Sequence, residues 1–327
     1  MPCLCQFLFT IFPFLRRIEK PENLIYYKCM KRIMTLCLIV LIGVGLFSCA
    51  SSTPYSQGQG QAGSSVWKIS KNGNTLFLGG SVHVLRESDY PLPDEFDRAF
   101  SQSSMLVLET NIEQLSDESV VQYIMSNMIL PGNQTLHSVL NPKTYELLAA
   151  AFREYGLFLD ENSNLKPAMV VNILTMLQIQ KFGFVQQGVD MYYLEKARNE
   201  RKPVDYLETI KTQIDLIVTM GDGYENDFVQ YSLHDIESTG SELTALLEEW
   251  RNGASSITEA SILEMKEKWP QIYRTMITDR NAAWMPQIER HLASGTVSFV
   301  IVGLAHMYGP DGLLRQLKNA GCTVESF

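Results

Sequence analysis

Two histidines of this chain share one local setting. His83 lies three residues past Gly80, after the apolar run Thr75-Leu76-Phe77-Leu78, and His306 lies three residues past Gly303, after Val297-Ser298-Phe299-Val300-Ile301-Val302. A glycine at such a place lets the backbone turn or pass close to a ligand, and a neutral imidazole can ligate a divalent metal or move a proton. A lone histidine is more often a satisfied structural residue. Two of the same kind among only 5 histidines in the chain form a candidate site, with Gly80 and Gly303 as substrate-contacting positions. Glu109 closes the run Met105-Leu106-Val107-Leu108 and Glu208 follows Val204-Asp205-Tyr206-Leu207. Either could serve as acid or base, Glu109 being the stronger candidate; the alternative for it is a surface carboxylate at a strand end. Arg280 stands between Met276, Ile277 and Trp284. A buried arginine needs a carboxylate or an oxyanion, so it would clamp Glu109, Glu208 or a tetrahedral intermediate, or form a structural salt bridge. Asn281 is read as bonding within the same site, and Asp190 as a cap for the helix after it. His137, His234 and His291 lie in polar contexts and are read as solvated.

The elements that must position these residues can be read from hydrophobic period and turn chemistry. Val66 to Ser70 alternates, Asn72-Gly73 is a hairpin turn signal, and Thr75 to Leu78 is the second strand. A helix is expected from Asp94 to Ser101, a strand from Met105 to Leu108, a short strand at Val204 to Leu207, a buried strand from Val297 to Val302, and a last strand at Thr323-Val324. Between them, from Ser116 to about Leu292, the pattern is helical. Asn141, Pro142 and Gly156 mark the cap, first residue and end of one helix; another runs from Pro167 to about Phe182. Glu264 to Arg290 reads as one or two helices kinked at Pro286, and Asp311 to Ala320 as the last. The reading is an α+β domain: a mixed β-sheet built from N- and C-terminal segments, with a large helical insertion at about 115–292. The two ends rhyme, each giving strand, Gly-x-x-His, loop, helix, strand and glutamate. This is either a degenerate duplication or two ordinary strand–helix–strand units.

Of 327 residues, 46% are hydrophobic and 19% charged, enough to bury a core and to exclude wholesale disorder. The net charge of −9, with no basic stripe, argues against a nucleic-acid partner. Met34 to Phe47 is almost purely apolar and follows Lys31-Arg32, the layout of an export signal, and it is shorter than the ~20 residues that span a bilayer. Leu46-Phe47-Ser48-Cys49 then resembles a bacterial lipobox, with Cys49 lipidated. The alternative is an uncleaved anchor helix. Residues 1–29 are read as an upstream extension from a misassigned start, 30–49 as the signal peptide, 50–65 as a flexible linker and 66–327 as the folded body. Of the 6 cysteines only Cys322 lies in that body, so it can hold no internal disulfide and no cysteine-rich metal site.

Trp67 to Glu109, with LFLGGSVHVL, YPLPDEFDRAF and MLVLET, resembles the opening of the TraB/GumN family, which includes the Tiki proteins. VGLAHMYGPDGLLRQLKNAGCTV is similar to that family's closing motif. Gly188-Val189-Asp190, Tyr206 to Thr209 with Gln213, and Asp279-Arg280-Asn281 fall between them in the family's order. Gly79-Gly80-Ser81 stands where a Gly-Thr pair is more common, and leaves the histidine in place. The resemblance implies metal-dependent peptide cleavage, as in Tiki-type members, with His83, His306 and Glu109 holding the metal and Arg280 assisting. Two histidines and a carboxylate would leave open positions on Mn, Co, Zn or Fe. It also implies a rival, since related folds resemble haem-binding lipoproteins and TraB-type proteins are linked to inhibition of secreted peptide pheromones.

The functional expectation is therefore an extracytoplasmic metal-dependent hydrolase, a peptidase, in which Glu109, Arg280 and Glu208 are the catalytic candidates. Its partners would be a peptide or small-molecule substrate and the membrane of the cell envelope, reached through a lipid anchor at the outer membrane or cell surface. The alternatives are a peptide- or haem-binding lipoprotein without turnover, and a metal-free esterase-like hydrolase using a histidine and a glutamate.

Overall fold

The computed structural model describes residues 63–327 except 185, with the backbone alone at 186 and 235–242. Cys49 and the stretches read as upstream extension, export signal and most of the linker lie outside the described residues. The described residues begin with β1 (Val66–Lys71), β2 (Asn74–Ser81) and β3 (Val84–Leu85), then α1 (Asp94–Gln102) and β4 (Met105–Leu108). There follow α2 (Glu118–Asn127), α3 (Leu136–Val139), α4 (Pro142–Arg153), α5 (Pro167–Lys181), β5 (Gln186–Gln187), α6 (Val189–Asn199) and β6 (Val204–Tyr206). The rest comprises α7 (Ile210–Val218), α8 (Glu225–Asn252), α9 (Ser256–Lys268), α10 (Pro270–Tyr273), α11 (Asp279–Ala293), β7 (Ser298–Gly303), α12 (Leu313–Asn319) and β8 (Thr323–Ser326). A mixed sheet with helices confirms the α+β expectation. Among the described residues no helix is long and apolar enough to cross a membrane.

The described residues fall into two compact units. One, helical, comprises Ile112–Lys181 and Ile210–Glu237. Its α4 is capped as the sequence implies: the Asn141 side chain accepts the Thr144 N–H at 2.9 Å, Pro142 opens the helix, and Gly156 takes the left-handed φ of 70° beyond its end. Its α5 is buried on every side from Pro167 to Ile179.

The other unit takes in residues up to Asn111, Phe182–Thr209 and Ser238–Phe327, and holds the sheet, ordered β6-β4-β7-β2-β1-β8. Asn72 and Gly73 both have positive φ, 52° and 83°, so the β1–β2 turn has the twist that a two-residue hairpin needs. β6, β4, β7 and β2 run parallel to one another, while β1 is antiparallel to both β2 and β8. The central β7 is buried at all positions, which is why it reads as an unbroken apolar run rather than an alternating one. The edge strands β6 and β8 are the polar ones.

β2 continues three residues further than its apolar run promised, because Gly79, Gly80 and Ser81 stay in register with Ile301, Val302 and Gly303 of β7. Gly79 is needed there for packing: a β-carbon would lie 2.8 Å from the Phe299 ring and 3.2 Å from Phe96 of α1. Tyr193 of α6 and Trp250 of α8 complete that aromatic layer.

The chain leaves the adjacent strands β2 and β7 in opposite directions. From β2 it crosses β7 to β4, and from β7 it crosses β2 and β1 to β8. Two copies related by a two-fold axis would do the same, with β1 as the departure from symmetry. Ser64 and Ser65, at the end of the stretch read as linker, are buried, and Ser65 bonds the main chain of Gly80 and Trp250.

Candidate active site

Parallel strands present their carboxyl ends at one edge of a sheet, where loops can converge. Each of the four parallel strands here delivers one site residue just past its end: His83 after β2, Glu109 after β4, Glu208 after β6 and His306 after β7. The main chains of β4 and β6 stay joined past their ends, with the Glu208 N–H donating to the Glu109 carbonyl at 2.8 Å, so the two carboxylates start side by side. α11 packs on β2 and β7 and brings Arg280, Asn281 and Trp284 in from its first turns. A π-helical turn, Arg274–Thr278, precedes it. Pro286 lies inside α11, and the break between the helices of that stretch falls upstream of it, between Trp269 and Thr278.

Arg280 is the hub. Its Nη2 donates to Glu109 Oε2 at 2.5 Å and to Glu208 Oε1 at 2.8 Å, its Nε donates to Glu208 Oε2 at 3.3 Å, and its Nη1 donates to His306 Nε2 at 3.0 Å. Only a planar guanidinium offers donors in so many fixed directions. Trp284, one helical turn on, lies under the guanidinium and donates its indole N–H to Glu208 Oε2 at 3.1 Å. Burial would pull the arginine's pKa down, but Glu109 and Glu208 outweigh it and drive the value up, so the charge is kept.

His306 is fixed in one tautomer. Because Arg280 can only donate, Nε2 accepts, and Nδ1 carries the hydrogen that goes to Asn281 Oδ1 at 2.7 Å. The orientation of Asn281 is itself fixed, since its Nδ2 donates to the carbonyls of His306 at 3.1 Å and Asp311 at 2.8 Å. Burial, then Arg280, then His83 hold the His306 pKa well below the usual imidazole range.

His83 is in the opposite condition. Its Nδ1 lies 3.0 Å from Asp190 Oδ1, which makes Nδ1 the donor and, in the neutral ring, leaves a lone pair on Nε2. That Nε2 is buried and, among the described residues, has no hydrogen-bond partner. Burial lowers the His83 pKa, but the Asp190 charge and hydrogen bond, with Glu109 behind them, turn the net shift upward. Asp190 therefore does more than cap: the cap position is Gly188, and Asp190 sits inside the first turn of α6. Gly188 is what allows the approach, because a β-carbon there would fall 2.4 Å from the His83 backbone.

Gly303 marks the centre. A β-carbon on it would lie 3.3 Å from Glu109 Oε1, 3.5 Å from His83 Nε2 and 3.6 Å from His306 Cδ2, so the two rings and the carboxylate face one another across the width of one small side chain. The Gly303 N–H donates to Glu109 Oε1 at 2.6 Å. The fold thus brings together His83, His306, Glu109, Glu208, Arg280, Asn281 and Gly303. Gly80 is placed differently: its N–H and C=O are bonded to Ser65 and Trp250, and its α-carbon faces Leu304.

The sequence reading missed Asp190 as the partner of His83, and Trp284 as a donor to Glu208. Neither carries a local signature, since a carboxylate early in a helix reads as a cap and a tryptophan at helical spacing reads as core.

The donor set also bears on a metal. A metal on His83, His306 and Glu109 needs lone pairs from all three to converge. Here the Nε2 of His306 and the Oε2 of Glu109 both point at Arg280, and among the described residues no group of three His, Cys, Asp or Glu is arranged to hold an ion. In this arrangement the residues offer a single free ring nitrogen rather than a three-ligand site.

Comparison with known proteins gives a consistent relationship. Two similar chains are the "Uncharacterized protein YbaP" of Escherichia coli K12, 23% identical over 253 residues that cover 76% of this chain and 90% of the relative, and its Shigella flexneri namesake, 23% identical over 243 residues that cover 74% and 87%. No solved structure matches. The TraB/PrgY/gumN family model matches residues 65–326, a span that contains all four strand ends and α11, and the chain belongs to that family.

Proposed function

We propose that this protein is a hydrolase that activates water at His83, with Asp190 behind the ring, to cleave an acyl bond in a peptide or a small molecule. The observation that carries this reading is the buried Nε2 of His83, free of any partner, on a ring whose other nitrogen is fixed by a carboxylate. A base needs an available lone pair and a pKa near the working pH; Asp190 supports both, by fixing the tautomer and by stabilising the imidazolium once the proton has moved. Arg280 then acts by position. It holds Glu109 and Glu208 together and keeps His306 as a neutral wall of the site.

The metal-dependent reading keeps His83 as a ligand and Glu109 through Oε1, the oxygen that Arg280 does not hold, but requires Arg280 to release His306. If it did, the ion would supply Lewis acidity and a bound water of lowered pKa. For location, the reading is the cell envelope, through lipidation at Cys49, supported by the export signal in the sequence.

The test is turnover of a peptide library and an ester panel by purified protein, after chelation and again with Mn, Co, Zn or Fe restored, beside His83→Ala. Cleavage that survives chelation and is lost in His83→Ala supports the proposal. Cleavage that returns only with stoichiometric metal selects the metal-dependent reading, and tight binding of peptide or haem without cleavage selects the binding reading.

A further inference from the structure

We infer that Ser81 is a positioning residue that shares with His83 the oxygen atom that reacts, a water in the resting protein hydrogen-bonded to both Ser81 Oγ and His83 Nε2. The inference deepens the hydrolase reading and rests on it for its chemistry. Ser81 is the last residue of β2. It is 3% exposed and His83 is 5% exposed, and Ser81 Oγ and His83 Nε2 are both buried polar atoms with no hydrogen-bond partner among the described residues. Buried polar groups in native proteins are nearly always satisfied, by protein or by ordered water. Two such atoms two residues apart, both bordering the β-position that Gly303 leaves without a side chain, call for one shared partner.

Register and packing place the hydroxyl. Ser81 pairs with Gly303 across the parallel β2–β7 ladder, so the two residues direct their β-positions to the same face, about 4.8 Å apart. The β-position of Gly303 is the point 3.5 Å from His83 Nε2 and 3.3 Å from Glu109 Oε1. Ser81 therefore borders the space that the missing side chain of Gly303 leaves open. Below it on that face, Gly79 is closed off by the Phe299 and Phe96 rings, so Ser81 is the first polar side chain above an aromatic floor.

The donor count fits a water and not a serine nucleophile. A nucleophilic serine is hydrogen-bonded to its base, and Ser81 Oγ has no such bond to His83. With Nδ1–H committed to Asp190, the Nε2 of the neutral His83 ring, the form that acts as a base, can only accept. A water there donates one hydrogen to Nε2 and accepts the Ser81 O–H, which leaves a lone pair for an acyl carbon. In the reaction the water oxygen–carbon bond forms as Nε2 takes the proton and the carbonyl electrons move to oxygen. The bond to the leaving group then breaks as Nε2 returns the proton to that group.

Crystal structures of the whole protein and of its Ser81→Ala and Ser81→Thr variants, at a resolution that shows water, provide a test that needs no substrate. Wild type and Ser81→Thr should hold a water within hydrogen-bond distance of both the residue-81 hydroxyl and His83 Nε2, and Ser81→Ala should lack it. Where a cleavable acyl substrate has been found, Ser81→Ala should lose about 100-fold in kcat with KM little changed, and Ser81→Thr should recover most of it. Wild-type crystals without that water, or a fluorophosphonate adduct on Ser81 found by mass spectrometry, would overturn the inference. A water in place in a protein that cleaves nothing would overturn the hydrolase reading and, with it, the reacting role of that oxygen, leaving only the shared water.

Discussion

Arg280 Nη1 lies 3.0 Å from His306 Nε2, and that single bond separates the jobs of two histidines that look alike in sequence. A guanidinium has hydrogens and no lone pair, so the His306 nitrogen is consumed as an acceptor. The corresponding nitrogen of His83 is left free.

The two rings should titrate on opposite sides of the ordinary imidazole value. The folded pKa of His306 is depressed below 6.5. As the pH falls past 6.5 the unfolded chain binds a proton that the native ring refuses, so the stability His306 contributes is complete above that pH and is lost toward its folded value. The folded pKa of His83 is raised above 6.5, so its contribution is complete below 6.5 and is lost as the pH rises through the folded value. Nitrogen-15 NMR of histidine-labelled protein should show His306 as a neutral Nδ1–H tautomer at pH 6 while His83 is largely charged. Denaturation across pH should show the site's contribution peaking near 6.5, the value that both folded-state shifts depart from.

Arg280→Lys should lower stability by about 3–5 kcal/mol, because one ammonium cannot serve Glu109, Glu208 and His306 together and a buried carboxylate is left unpaired. Urea denaturation at neutral pH measures the loss. A change within about 0.5 kcal/mol, the range of an ordinary surface substitution, would show that the clamp is not a structural element.

Asp190→Asn keeps size and shape but removes the charge behind His83. Turnover should fall by about 10²–10⁴-fold, as when the carboxylate behind a catalytic histidine is replaced, and the His83 pKa should drop. Thermal stability should stay near wild type, which separates this effect from unfolding. An unchanged rate would remove His83 from the role of base.

Two glycines should fail in different ways. Gly303→Ala places a methyl group in van der Waals range of His83 Nε2 and His306, 3.5 and 3.6 Å away, and in close contact with Glu109 at 3.3 Å. The backbone there has φ −50°, which any residue adopts, so the protein should fold and lose on the order of 100-fold in rate by displacing what reacts. Gly188→Ala meets the His83 backbone at 2.4 Å; it should cost about 1–3 kcal/mol through overpacking and move Asp190 away from His83. Melting curves paired with rates distinguish the two.

Much of the site was legible because strand ends are legible. Apolar runs that stop at glycine or glutamate gave His83, Glu109 and His306, since a buried parallel strand reads as an unbroken apolar stretch with chemistry at its end, while Glu208 was marked only by its place after the short, polar β6. Asn72-Gly73 and Asn141-Pro142 were legible for the same local reason: each demands a particular backbone geometry of its own residues. The buried Arg280 could be expected to find a carboxylate, but its sequence offered two glutamates and an intermediate without ranking them. Asp190 was read as a cap because, within its own helix, that is the work available to a carboxylate in the first turn.

Composition and period, taken alone, determined the element types, the α+β class and the set of residues standing where chemistry could occur, because each depends on a few neighbours along the chain. The choice of partners came from the tertiary structure. Arg280 meets Glu109 across 171 positions and His83 meets Asp190 across 107. Those encounters follow from strand order, from the chain leaving β2 and β7 in opposite directions, and from the close approach that Gly188 permits. None of these is encoded in a local pattern, and together they decide which histidine keeps its lone pair.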